Sequence, residues 1–340
     1  MYFQLLSNIK KALISQETEI IISPFSFTPS TQFENQLLFF FKPECFNNQN
    51  WEQSSNILQM TFEKFKQFQV EIGGMLLLDG PRLEELEIMN NHYGFINRLS
   101  REASKILTSE EIERIASQLN IENIKDCLIL GGHEFLKQFP QYTPSTLNDA
   151  WLTKKSFKLR SGFYYNFYEI ENRQIILING FNPIQIHRFT QKGQKLFVFL
   201  LYSNTDWSVL KNDLSGDTYP ERAKENSIRG ELYKHNKKYG IPVVNVSNNG
   251  IHLSAGPFEA LFEIDNFLHR ITPIRFDVCR TNIGMRMMNL GYTKEEILFS
   301  LSNPIIHNED SEVDLDTYTE GKNTTWAISN YVNHFPPGRI

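Results

Sequence analysis

Three short stretches are apolar from end to end: Leu37–Phe41 (LLFFF), Met75–Leu78 (MLLL) and Leu196–Tyr202 (LFVFLLY). Runs this short fit strands covered on both faces, and core helices need more length. The first run stops at Lys42-Pro43, and proline cannot continue a central ladder. Between the runs the period changes. In Trp51–Phe68, Leu58, Phe62 and Phe65 follow at steps of four and three, the spacing of a helix with one face in a core. Gly73-Gly74 reads as a break before the Met75–Leu78 strand. Pro81–Leu99 reads as one helix with Glu84, Glu85 and Glu87 outward.

The rest of the chain is placed around these anchors. Asn8–Ser15 is a turn or two of helix, Glu19–Ser23 is strand-like, and a Pro/Ser/Thr connection follows. Residues 99–189 change character. Thr108-Ser109-Glu110-Glu111 starts a helix, a second helix lies near Glu134, and Phe163–Ile170 with Gln174–Asn179 form a hairpin. Ser203–Gly240 reads as a long polar loop, Ile241–Val246 as a strand, and 256–268 as a helix. The tail carries a helix at Lys294–Leu301 and an acidic stretch, Asn308–Asp316. Without residues 99–189 the order is β-α-β-α-β-loop-β-α. That predicts an α+β chain: a ferredoxin-like, four-stranded antiparallel sheet with helices, interrupted by an α/β insertion. The expected organisation is an N-terminal extension (1–33), a split domain (34–98 and 190–271), an insertion (99–189) and a C-terminal extension (272–340).

Composition narrows the functional classes. Hydrophobic residues are 41% and charged residues 21% of 340, which is globular, and Phe alone counts 27. Lys and Arg number 34 against 39 Asp and Glu, a net charge of −5. Mild acidity argues against broad binding to nucleic acid or anionic lipid. Three cysteines without a CxxC provide neither a disulfide framework nor zinc spacing. The longest apolar run falls far short of the about 20 residues of a spanning helix. The N-terminal lysines follow the apolar stretch, the wrong order for a signal peptide. The expectation is a soluble, cytoplasmic protein with neither membrane nor nucleic acid as partner.

The chemistry concentrates in Ser215–Leu268. Gly216-Asp217-Thr218-Tyr219-Pro220 is followed by Ser227-Ile228-Arg229-Gly230 and then by Asn249-Gly250-Ile251-His252-Leu253-Ser254-Ala255. Glu263 stands eleven residues after His252. These resemble, in order, the G-x-T-x-P, [ST]-I-R-G and N-x-x-H-x-S motifs of the nucleoside diphosphate kinase family. Phe41-Lys42-Pro43 is similar to the end of that family's first strand, and His92-Tyr93 to its His-Tyr.

The resemblance implies Mg²⁺-dependent phosphotransfer from ATP to nucleoside diphosphates, in two steps through a phosphohistidine at His252, by a homo-oligomer. A neutral imidazole is a good nucleophile near pH 7, and its second nitrogen needs an acceptor to orient it. Glu263 is suited to that role, and Ser254 can bridge to Glu263 or to the phosphorylated ring. Lys42, Thr218 and Arg229 offer an ammonium, a hydroxyl and a guanidinium to the transferring charge. Tyr93 adds a phenol. Asn249, with Lys42, suits a ribose hydroxyl, and Val246 stands where the family has an apolar contact to base or sugar. Mg²⁺ would be held mainly by the nucleotide.

The departures are equally specific. Asn212 stands where the family has an arginine, with Lys211 beside it. Leu253 and Ala255 replace Gly and Asp after the histidine, and the stretch from Arg229 to Asn249 is longer. They motivate an alternative: a catalytically weak or inactive nucleotide-binding sensor or interaction protein on the same fold. His133, His187, His235, His269, His307 and His334 show no metal-ligand spacing. Gly321-Lys322 lacks the frame of a phosphate-binding loop.

Overall fold

Every residue of Asn35–Phe41 is buried, and so is nearly every residue of Lys195–Ser203. The apolar runs are therefore the interior strands, as their lack of alternation requires. The computed structural model describes residues 2–27, 32–46, 50–160, 162–271, 276–308 and 311–339. The connection after Glu19–Ser23 (28–31) and the start of the tail at Thr272 lie largely outside them, as does part of the acidic stretch (309–310).

Along the chain the first strands are β1 (Glu19–Ser23), β2 (Asn35–Phe41), β3 (Val70–Asp79) and β4 (Leu128–Gly131). Next come β5 (Phe157–Arg160), β6 (Phe163–Ile170), β7 (Arg173–Ile178), β8 (Lys195–Ser203) and β9 (Ile251–Leu253). A short ribbon, β10 (Ile305–Asn308) with β11 (Ser311–Asp314), follows. The chain divides into two compact units, Met1–Leu86 with Lys192–Ile340, and Glu87–Gln191.

The first unit is mixed α+β. Its sheet has the order β1-β3-β8-β2-β9, and every neighbouring pair is antiparallel. It holds five strands rather than the four expected, because β1 pairs with the outer side of β3. One face buries Phe39, Phe41 and Phe199 against the helices Tyr2–Ile14, Trp51–Gln67, which contributes Phe62 and Phe65, and Ile228–Lys234. Phe39 meets Phe41, Phe65 and Phe199 edge to face at 5.0, 5.2 and 5.7 Å. The helix Pro257–Leu268 packs on β2. Phe258 and Leu261 of that helix enter a further cluster with Ile283, Met287, Ile328 and Tyr331 of the C-terminal segment.

The second unit has its own four-stranded sheet, β4-β7-β6-β5, with β4 parallel to β7 and the other pairs antiparallel. Hydrophobic clusters around Leu99, Ile115 and Phe163, and around Phe135, Leu147 and Trp151, build its core. Thr108 caps Ser109–Leu119 through a full capping box with Glu111.

Four local expectations are corrected. Gly73-Gly74 does not end an element. Both lie inside β3 at a bulge, where a Cβ on Gly73 would sit 2.3 Å from the Tyr202 ring. Pro81–Leu99 is not one helix but Gly80–Glu85, Ile88–His92 and Gly94–Ile106, interrupted where Glu87 takes φ 52°. Ser203–Gly240 is not a plain loop: it holds Trp207–Val209, a π-helical turn Leu210–Ser215, and the helix Ile228–Lys234 capped by Ser227. Ile241–Val246 forms no strand. Pro242 interrupts it, and only an isolated bridge, Asn245 to Asn248, closes the turn. The edge of the sheet is instead Ile251–Leu253.

No helix among the described residues is long and apolar enough to cross a membrane. Cys45, Cys127 and Cys279 are free thiols.

Candidate active site

β9 is only three residues long, and its alternation decides where the histidine points. Ile251 and Leu253 enter the core, so His252 faces the other side. The bulk of Leu253 is thereby kept off the imidazole. The register sets His252 opposite Phe40 of β2, and the two rings stack at 4.6 Å and 20°.

The helix Pro257–Leu268 returns along the sheet and presents Glu263, which is 1% exposed. Glu263 Oε1 lies 2.6 Å from His252 Nε2, and Ser254 Oγ donates to Glu263 Oε2 at 2.5 Å. Leu38 N–H donates to Ser254 Oγ at 3.0 Å, which orients that hydroxyl. A carboxylate on Nε2 selects the tautomer protonated there and leaves the lone pair on Nδ1.

Burial first, then the charges of Lys42 and Arg229, hold the His252 pKa well below its ordinary 6.5. The ring is therefore neutral at physiological pH. The sign for stability follows. Between the folded and unfolded pKa values the unfolded state binds the extra proton, so stability is full above about 6.5 and falls as pH drops through the folded value. His133 of the second unit, pushed down to about 4 by burial, acts in the same direction. Glu259 and Asp316, raised to about 8 by burial first and then by neighbouring carboxylates, act in the opposite direction. The His133 share is therefore read by difference in thermal melting between pH 8 and 5: the Tm of His133→Asn minus that of wild type is expected to rise as pH falls below 6.5.

The cations are held by fixed partners. Lys42 Nζ donates to Asn249 Oδ1 at 2.7 Å, and Asn249 Nδ2 donates to Thr218 O at 3.1 Å. Asn249, 2% exposed, is thus a bridge from the end of β2 to the Gly216–Thr218 loop. Arg229 is 8% exposed and donates through Nη1 to Gly216 O at 2.6 Å and through Nη2 to Ile251 O at 3.2 Å. Its buried Nε–H has no hydrogen-bond partner. Burial lowers its pKa to about 10, offset by Asp217, so it stays charged. Gly216 adopts φ +90°, and a Cβ there would lie 2.3 Å from Ser227 Oγ. Arg229→Lys keeps the charge but cannot span both carbonyls. Leaving one unpaired costs about 1–3 kcal/mol, to be read as a lower urea midpoint.

His252, Glu263, Ser254, Lys42, Asn249 and Arg229 are therefore joined within the first unit, with Thr218 contributing its backbone. Thr218 itself is exposed. Val246, 42% exposed, accepts a long 3.4 Å bond from Asn249 through its carbonyl. Asn212 is exposed on the π-helical turn, while its neighbour Lys211 pairs with Glu320. Tyr93 belongs to the second unit, where its ring meets His92 edge-on and lies 6.1 Å from Phe189. Phe40 was not singled out from the sequence. Its alternation within Leu37–Phe41 fixes a face, but only pairing with β9 shows what lies opposite.

A neutral imidazole, partly exposed and oriented by a buried carboxylate, with an ammonium and a guanidinium acting on it, defines a candidate nucleophile site. No protein-family model matches the chain, and no curated protein matches it. Among solved structures it is similar to an NDP kinase from Pyrobaculum aerophilum, at 14% identity, over 68% of this chain and 94% of that one, with a TM-score of 0.33.

Proposed function

We propose that the chain is a nucleoside diphosphate kinase-like phosphotransferase, with His252 as the phosphoryl carrier between ATP and a nucleoside diphosphate. The single observation that carries this reading is the 2.6 Å contact between His252 Nε2 and the buried Glu263. Further support is the order β9-β2-β8-β3 of the four strands other than β1, that is 4-1-3-2, as in a ferredoxin-like sheet. The Nδ1 lone pair forms a bond to the γ-phosphorus as the bond to the bridging oxygen breaks, and ADP leaves with that electron pair. The terminal oxygen of the acceptor diphosphate then displaces His252 Nδ1. Glu263 stabilises the positive charge that the ring gains on phosphorylation. Lys42 and the remaining N–H groups of Arg229 are the chain's partners for the phosphate charge.

Mg²⁺ fits the donor set in the usual way, through substrate phosphates and one or two carboxylates. Exposed Asp217, whose Oδ1 accepts Tyr219 N–H at 2.9 Å, is the carboxylate on the Gly216–Thr218 loop that would hold it. When bound it neutralises phosphate charge.

The test is incubation with [γ-³²P]ATP and Mg²⁺. An acid-labile, base-stable phosphoprotein that discharges to GDP is expected. The alternative is a nucleotide-binding protein without turnover, favoured by exposed Asn212 and by the Arg229 donors already given to carbonyls. It predicts thermal stabilisation by nucleotide with no phosphoprotein, and that outcome would replace the first reading.

A further inference from the structure

The turn Ser254–Gly256 joins β9 to the helix that carries Glu263, and the C-terminal segment grips it and its surroundings. Gly321 N–H donates to Ala255 O at 2.8 Å. A Cβ on Gly256 would lie 2.8 Å from Thr319 O, so the helix Leu315–Thr319 ends against the turn. Glu320 pairs with Lys211 on the π-helical turn that leads to Gly216. Asn323 Oδ1 accepts from Trp207 N–H at 2.8 Å, and Asn323 Nδ2 donates to Asp206 Oδ1 at 2.6 Å.

Asn323 turns away from its own helix to reach these partners. It stands at the N-cap of Thr324–His334, where an asparagine oxygen ordinarily accepts from the first turn, and it makes no such bond. Asn35, at the start of β2, takes over: its Oδ1 accepts from Thr324 N–H at 3.1 Å, and its Nδ2 donates to Asn323 Oδ1 at 3.2 Å. The Asn323 oxygen is thereby free to fix Trp207.

Trp207 carries the constraint inward. It is fully buried, and its Nε1–H donates to Ser254 O at 3.0 Å. Ser254 stands two residues after His252, and its Oγ donates to Glu263 Oε2 at 2.5 Å. The indole therefore fixes the backbone of the residue whose hydroxyl orients the carboxylate on Nε2. From Trp207–Val209 the chain runs on through the π-helical turn Leu210–Ser215 to Gly216, whose carbonyl holds Arg229. One short segment thus links the orienting pair of the imidazole to the buried guanidinium.

We propose that Trp207 is a positioning residue for the His252–Glu263 pair and that Asn323 locks it in place, so that the C-terminal segment is a working part of the site. This deepens the phosphotransfer reading and rests on His252 being the nucleophile. Without the indole bond the Ser254 backbone relaxes, its hydroxyl and Glu263 lose their register, and the imidazole loses its fixed direction. A misplacement of about 1 Å at a reacting atom can cost 10²-fold in rate.

The first readout needs no nucleotide. The Nε2–H proton of His252, held by Glu263, is followed by NMR in the full-length, isotope-labelled protein. Trp207→Phe keeps an aromatic ring in the core and removes the donor. Asn323→Asp keeps the acceptor for Trp207 N–H but sets two carboxylates against each other at Asp206. Each should move the Nε2–H resonance. Each should also slow phosphoprotein formation about 10-fold or more, with the half-saturating ATP concentration unchanged. Asp206→Asn added to Asn323→Asp restores the side-chain bond and should return both readouts toward wild type. A merely structural role would lower Tm and leave the resonance in place. A resonance unmoved in either variant, or not restored by the added Asp206→Asn, overturns the proposal, as does an unchanged labelling rate in both single variants. If Trp207→Phe does not fold, the Asp206–Asn323 pair decides alone. Moved resonances with no phosphoprotein from wild type sink only the phosphotransfer reading. A labelled wild type with unmoved resonances in the variants sinks only this proposal.

Discussion

His252→Ala is expected to take up no phosphoryl group from ATP, and Glu263→Gln to take it up about 10²-fold more slowly or worse. The two variants separate the nucleophile from the group that orients it. Glutamine keeps nearly the shape of Glu263, so the 2.5 Å bond from Ser254 can be retained and the fold should stand. What it lacks is the negative charge that meets the cationic ring formed when Nδ1 bonds to phosphorus. In a site that is 1% exposed at Glu263, water cannot substitute for that charge. The measurement is single-turnover labelling at matched ATP, with far-UV circular dichroism and melting as fold controls. Equal rates for Glu263→Gln and wild type would mean that the carboxylate is structural, and the phosphohistidine reading would lose its main support.

Phe39→Ala is expected to cost about 3–5 kcal/mol of stability, the usual range for emptying an aromatic site in a core. Phe39 is 1% exposed and lies between Phe41, Phe65 and Phe199, on the face where β2 and β8 meet the helix Trp51–Gln67. It also pairs with Leu253, the neighbour of His252, so the cavity opens beside the strand that aims the nucleophile. For a unit of this size Tm should fall by roughly 10 °C. Val243→Ala, at a position 58% exposed, should change stability by less than about 0.5 kcal/mol. A small loss at Phe39 comparable to that at Val243 would contradict the core described above.

The strands were legible wherever an apolar run is bounded by a breaker. Leu37–Phe41 stops at Pro43, and Leu196–Tyr202 starts after Lys195; their strands match to within one or two residues. The helix Trp51–Gln67 was legible for the same kind of reason, a face of Leu58, Phe62 and Phe65. β9 was not legible. Three residues carry too little pattern, and Ile241–Val246 offers more β-branched side chains. Its strand character comes from pairing with Phe39–Phe41, a long-range contact that propensity does not contain. The fifth strand, β1, was read as a strand, but its place in the sheet was not.

The candidate site divides in the same way. His252, Glu263, Ser254, Lys42, Asn249 and Arg229 could be named from the sequence because the order and spacing of their motifs resemble those of the nucleoside diphosphate kinase family. The sequence by itself determined those identities, the neutral-histidine chemistry they permit and the strand-and-helix alternation that frames them. The tertiary structure alone decided that Phe40 stacks on the imidazole, that Asn249 spends its amide on Lys42 and the Thr218 carbonyl, and that the C-terminal helix Leu315–Thr319 ends against the turn at Gly256. These are contacts between segments far apart in the chain. Local propensity acts over a few residues, whereas burial, register and close packing select partners across the whole fold.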